Sequence, residues 1–133
     1  MWSKDTLTYA AGFLDGEGCF TAYKGKIHVT MSNTYRPVVV WFKEQFGGAI
    51  SKGEKRAQHH RLCYTWCVTG FKAEELCRCI CAYLKEKSPQ AALLISLRQT
   101  LTLSQQGKKL PQEIKEERER LMTILKGLKH VEW

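Results

Sequence analysis

The chain has no run approaching the roughly 18 apolar residues of a membrane span, and its start, MWSKDTLTY, lacks the apolar core of a signal peptide. A soluble, intracellular protein with no membrane partner is expected. Acids are scarce, with 13 Asp+Glu against 21 Lys+Arg, a net charge of +8. That excess points to a polyanionic partner, nucleic acid first and an acidic membrane surface second, and away from a small-molecule substrate. The C-x2-C pairs of zinc ribbons and fingers are missing. At 133 residues the chain is about one domain, long enough for a hydrophobic core but too short for a catalytic and a separate binding domain.

Six cysteines are present: Cys19, Cys63, Cys67, Cys77, Cys79 and Cys81. The last three form C-x-C-x-C, and His59-His60 are adjacent, so neither set has the spacing of a zinc site. Cys77 and Cys81, four apart, share a helix face and suit a core. Core or surface thiols are expected, without disulfides in a reducing compartment. The competing reading, a zinc-structured domain, requires stoichiometric zinc.

The first helix is expected from Asp5 as N-cap, with Leu7, Ala10, Ala11 and Leu14 at helical spacing, ending in a glycine-rich acidic turn over 15–18. Residues 26–31 alternate strictly between polar and apolar, the mark of a half-buried strand, and pair with 20–23 through a turn at Lys24-Gly25-Lys26. Asn33 or Thr34 caps a second helix that carries Pro37 in its first turn and stops at Gly47-Gly48. AISK is a short strand, GEKRAQHHR a polar loop, and LCYTWCVT a strand with Leu62, Tyr64, Trp66 and Val68 on one face. Helices follow over 71–84, from Ser88-Pro89, and from about Pro111, the last with Ile114, Leu121, Leu125 and Leu128 as its apolar face.

This order, αββαββα and two further helices, predicts an α+β fold with a four-stranded antiparallel sheet, helices on one face, and an open polar, basic face. Residues 19–72 hold nine Lys/Arg and two Glu, so +7 of the net charge lies there.

The chemistry centres on AAGFLDGEG. A helix face of Ala and Gly allows a second helix to approach closely, and the carboxylates of Asp15 and Glu17 follow at its end. Beside a basic sheet, such a carboxylate can hold a divalent cation against a phosphodiester. The plainer reading of the same residues is an exposed glycine-rich helix exit with two surface acids. Residues 10–18 resemble the signature of the LAGLIDADG homing endonucleases; Ala10 departs from the usual leucine, while Phe13, Leu14, Gly16 and Glu17 are ordinary variants. The resemblance extends over about residues 5–103.

The resemblance implies a site-specific DNA endonuclease. The final acid of the motif, Glu17, is then the metal ligand, with Gly16 beside it, and the metal is Mg2+, with Mn2+ as a substitute. Asp15 is structural at the helix end. One motif per chain implies a homodimer whose interface includes Ala10, Ala11, Gly12, Leu14 and Asp15. The dimer straddles a long, partly palindromic duplex and cuts both strands. Lys87 matches a family lysine that stabilises the phosphorane or helps activate water, with Lys85 as runner-up. Asn33 matches a polar residue that positions water, although a cap role explains it equally.

Strand parity places Cys19, Thr21, Tyr23, Lys26, His28, Thr30, Lys52, Arg61, Cys63, Thr65 and Cys67 toward DNA, with Lys55 and Arg56, and also His59 and His60, as loop contacts to phosphate. An RNA-splicing maturase acting on its host intron RNA, or a non-cleaving regulator, is the alternative on the same fold. The resemblance leaves the source open among organelles (chloroplast or mitochondrion), bacteria, phage and archaea.

Overall fold

In the computed structural model, residues 2–53, 61–102 and 112–129 are described. The elements are α1 (Lys4–Glu17), β1 (Gly18–Tyr23), β2 (Lys26–Asn33), α2 (Arg36–Phe46), β3 (Ala49–Lys52), β4 (Tyr64–Thr69), α3 (Gly70–Ile80), α4 (Ser88–Thr102) and α5 (Gln112–Lys129). The α+β architecture expected from the sequence is the one found. The sheet is antiparallel throughout with strand order β1-β2-β4-β3, so the two hairpins lie side by side.

Several local expectations are corrected. The N-cap of α1 is Ser3, whose hydroxyl accepts from the Thr6 N–H at 3.1 Å; Asp5 lies in the first turn. The acidic turn is absent. Helix α1 continues through Asp15, Gly16 and Glu17 and passes directly into β1 at Gly18. A Cβ on Gly18 would stand 2.7–2.9 Å from Leu14 atoms, so glycine is what lets the strand leave the helix so closely. The β1–β2 turn has positive φ at both Lys24 and Gly25, the twist that suits a two-residue hairpin. Helix α2 starts after Tyr35, with no side-chain cap, and Asn33 Oδ1 instead accepts from the Tyr35 N–H at 2.7 Å in a local turn.

Helix α3 ends at Ile80, four residues earlier than the apolar pattern suggested. Ser88 and Pro89 do open α4.

The core lies between the sheet and the helices. Phe20, Ile27, Val29, Met31, Trp66 and Val68 point inward from the strands, against Leu14, Phe42, Leu76, Ile80, Leu94 and Leu97. A chain of ring contacts runs from Trp2 through Phe46 and Phe42 to Trp66, joining the start of α1 to α2 and β4. The indole N–H at each end of this chain is satisfied: Trp2 donates to the Gln45 carbonyl at 2.6 Å and Trp66 to that of Gly47 at 2.8 Å. Helix α5 packs beside α4 and buries Leu121 and Leu125, while Ile114 and Leu128 are half-buried.

Candidate functional site

The site begins where α1 meets β1. At a helix C-terminus the last carbonyls lack intrahelical partners and carry partial negative charge. Two carboxylates in the same turn, Asp15 and Glu17, add to it. The segment between α3 and α4 answers this charge. Asp15 accepts three backbone N–H bonds, from Lys85 at 2.8 Å, Glu86 at 3.2 Å and Lys87 at 3.0 Å. Lys87 Nζ donates to the carbonyls of Leu14, Asp15 and Gly18 at 3.1, 2.9 and 2.7 Å. An ammonium has three N–H donors, and all three are engaged here.

Glu17 is left over. It is exposed, and among the described residues its carboxylate makes no hydrogen bond or ion pair. Lys87 takes the carbonyls of Leu14, Asp15 and Gly18 and leaves that of Gly16. The clamp thus holds the backbone on both sides of Glu17 and isolates one uncompensated acid. Lys85, the alternative to Lys87, contributes its backbone N–H and keeps an exposed side chain. Asn33 lies at this end of the sheet, since Gly18 pairs with Met31 across β1 and β2.

The sheet register defines the open face. One row crosses all four strands: Cys19, Thr30, Cys67 and Ala49. A second holds Thr21, His28 and Thr69, a third Ser32, Thr65 and Ser51, and Tyr23 pairs with Lys26 at the hairpin end. Cys19, Thr21, Tyr23, Lys26, His28, Thr30, Thr65 and Cys67 therefore share a face, as parity required.

Lys52 does not. It pairs with Tyr64 and shares its parity with Ile50 and Trp66, so it leaves the sheet on the helix side. The short edge strand begins one residue out of step with the assumed pattern, and Ser51 holds the place assigned to Lys52. The same parity turns Asn33 away from the open face. Ser32, missed in the sequence, continues the polar alternation of β2 and shares a 2.7 Å hydroxyl–hydroxyl bond with Thr65.

The face is less basic than expected. Among its described strand positions, hydroxyls and thiols dominate, with Lys26 and His28 at the hairpin end. Cys67 Sγ stands 3.9 Å from His28 Nδ1, and burial pushes its thiol pKa up. Lys24 at the hairpin turn and Arg61 before β4 are exposed at the rim, and Cys63 is half-buried next to β4. Lys55, Arg56, His59 and His60 lie outside the described residues.

The helix face assigned to a dimer is also corrected. Ala10, Ala11 and Leu14 are fully buried within the single chain, under α3 and the sheet. The outward stripe of α1 is Tyr9, Gly12, Phe13 and Gly16. A Cβ added at Gly12 or Gly16 meets nothing within 4 Å, so this stripe is open and carries no side chain at those two positions. Tyr9 also lines an open apolar groove of about 380 Å³ with Tyr35, Pro37, Val38 and Trp41.

Among the described residues, no three His, Cys, Asp or Glu side chains gather as a metal cage. All six cysteines are free thiols. Comparison with known proteins then places the architecture. The structure superimposes on the homing endonuclease I-CvuI, crystallised with the I-CreI DNA target in 2 mM Mg, with a TM-score of 0.75, 17% identity, and coverage of 97% of this chain and 85% of that one. The archaeal intron-encoded homing endonuclease I-Vdi141I, complexed with DNA, gives 0.75 and 20% over 98% and 89%. The homing endonuclease I-TnaI gives 0.63 and 20% over 97% and 95%.

The fold is that of the LAGLIDADG homing endonucleases. No family model and no curated protein matches the sequence. Helix α5, left outside the core by the sequence reading, falls within the 97% of the chain that I-CvuI matches.

Proposed function

We propose that this chain is a site-specific DNA endonuclease that acts as a homodimer and makes a metal-dependent double-strand break. The observation that carries the reading is Glu17, an exposed carboxylate without a partner among the described residues, held by the Asp15–Lys87 clamp at the edge of an open polar sheet face. The fold it shares with DNA-bound homing endonucleases supports the same reading.

One protomer offers too few ligands for a metal. Glu17 supplies a carboxylate and Gly16 a backbone carbonyl, hard oxygen donors that suit Mg2+ or Mn2+. The remaining donors would come from a second Glu17, from DNA phosphate and from water. When bound, the metal polarises the scissile phosphate and lowers the pKa of attacking water. The chain's own residues aim Glu17, exclude competing charge and seat the duplex. Lys87, with its ammonium on the α1 carbonyls, holds that geometry and adds positive potential beside the phosphate. Two Gly12–Gly16 stripes packed together would bring two copies of Glu17 to one duplex, one for each strand.

Hydroxyls of Thr21, Thr30, Ser32 and Thr65 can reach base edges or thymine methyls, and Lys26 can donate to guanine or phosphate. Incubation with a randomised duplex library in Mg2+, with an EDTA control, followed by sequencing of the linear ends, tests the proposal. A single enriched, partly palindromic site cut only with metal is the expected result. A folded dimer that binds nucleic acid in a salt-dependent way but cuts nothing in any divalent metal would replace it with a maturase or regulator, whose partner is RNA or uncut DNA.

A further inference from the structure

A second feature lies at the opposite end of the sheet from Glu17. There a cavity of about 310 Å³ is lined by Lys26, Ile27, His28, Thr69, Gly70 and Arg98. Three of the six are basic. Lys26 and His28 come from β2 on the open face, and Arg98 reaches the cavity from α4. Basic side chains from β2 and α4, and the backbone where β4 meets α3, thus converge on one hollow that opens beside the proposed DNA-binding surface.

Arg98 is the decisive member. Its Nε is buried and makes no hydrogen bond among the described residues. Its only ion-pair partner among them is Glu74, whose Oε1 lies 3.6 Å from Arg98 Nε, beyond a good hydrogen bond. Glu74 is itself shared, since its Oε2 accepts from Arg78 Nε at 3.0 Å. The Nε is closed off on the Glu74 side, but the side chain keeps 24% of its surface exposed, and an anion in the cavity would meet the guanidinium there.

The wall of the cavity adds donors. Helix α3 starts at Gly70, and its N-cap, Thr69, makes no side-chain capping bond. No acid lies in its first turn. Its first N–H groups are therefore without a side-chain cap, at the positive end of an 11-residue helix. Gly70 has φ +61°, and a Cβ there would meet nothing within 4 Å, so the backbone at the mouth is open to a ligand.

We infer that this cavity binds a backbone phosphate of the duplex, through Lys26, His28, Arg98 and the amides at the start of α3. The proposal rests on the DNA-binding reading above and adds a defined phosphate subsite to it. Along β2, Lys26 and Asn33 are seven residues apart, so the subsite lies about 23 Å from the Glu17 end at roughly 3.3 Å per residue. A phosphate there belongs to the flank of the site, several base pairs from the cut. Its contact fixes the register of the protein on DNA without reading sequence.

The test uses the full-length protein and a random-sequence 40-base-pair duplex, with affinity measured across a salt series. The slope of log affinity against log salt changes by about 0.9 for each phosphate that the protein no longer neutralises. Lys26→Glu and Arg98→Gln should each flatten the slope by about that amount per protomer. Lys26 is exposed, so its variant keeps the test valid where Arg98→Gln does not fold. Amide NMR supplies the second arm, in which the duplex should shift the Gly70, Phe71 and Lys72 N–H signals. Wild-type binding with unchanged slopes in folded variants overturns the subsite and leaves the DNA-binding reading standing. Amide shifts with inorganic phosphate but none with duplex reassign the cavity to a free anion and overturn the proposal. A wild type that does not bind duplex at all overturns both.

Discussion

Glu17 and Lys87 sit at the same helix end, yet they differ in what surrounds them. Glu17 is exposed and has no ion-pair partner among the described residues, so Glu17→Gln should leave folding and duplex binding intact and abolish cleavage; loss of folding would remove its assigned role. Lys87 holds three carbonyls and Asp15 three amides. Charged hydrogen bonds contribute more than neutral ones, so Lys87→Met or Asp15→Ala should each cost about 1.5–3 kcal/mol in urea denaturation. Cys77 behaves differently again. Burial, then the neighbouring Cys81 and Glu74, push its thiol pKa up to about 12 from an ordinary value of 9.0. The folded state therefore keeps a proton that the unfolded state loses above pH 9. Stability should fall between about pH 9 and 12, by at most about 1.4 kcal/mol per pH unit, and Cys77→Ala should flatten that loss in a pH series of denaturation curves. Cys77 should also resist alkylation until the protein unfolds.

At the level of the helix, α1 has two faces with opposite tolerances. Ala10, Ala11 and Leu14 are buried inside the chain, where an added side chain has no room. Ala11→Leu should destabilise the protomer itself by about 1–3 kcal/mol. Gly12 faces open space, and leucine has the higher helix propensity. Gly12→Leu should therefore keep or raise the stability of the protomer while blocking close approach of a second α1. Size-exclusion chromatography should show a monomer without cleavage activity. A Gly12→Leu protein that still elutes as a dimer would show that the Gly12–Gly16 stripe is not the contact. From the sequence, all of AAG reads as one small-residue surface. Heptad-like spacing locates a buried stripe but leaves open whether its partner is the same chain or another copy. Here the sheet and α3 take Ala10 and Ala11, and the glycines remain outside.

Across the whole molecule, α5 closes the structure beside α4. Leu121 and Leu125 are its buried residues, and Arg118 reaches back to the β1–β2 turn, where its Nε stands 2.9 Å from the position a Gly25 Cβ would take. Leu125→Ala should cost about 2–5 kcal/mol and lower the midpoint of thermal unfolding in a single transition. A separate, earlier transition would mark α5 as an appendage. The same three-dimensional closure carries the hairpin turn toward α5 and Arg98 toward Lys26, residues far apart in the chain.

The strands, helices and their order were legible in the residues alone, because alternation and helical spacing report which side of each element avoids water. The motif at 10–18 was legible through its resemblance to a family signature, and of its glycines only Gly18 is fixed by a close contact, with Leu14. Lys52 was misplaced because a four-residue edge strand carries too little alternation to set its phase, and pairing with Tyr64 set it instead. Local pattern determined the fold class, the inward faces and the acid at the helix end. Only tertiary structure decided which face of α1 stays outside, that Lys87 and Asp15 lock the helix end, and that Arg98 faces Lys26 and His28. Each of these depends on residues distant in sequence, and no local preference encodes where a distant element will pack.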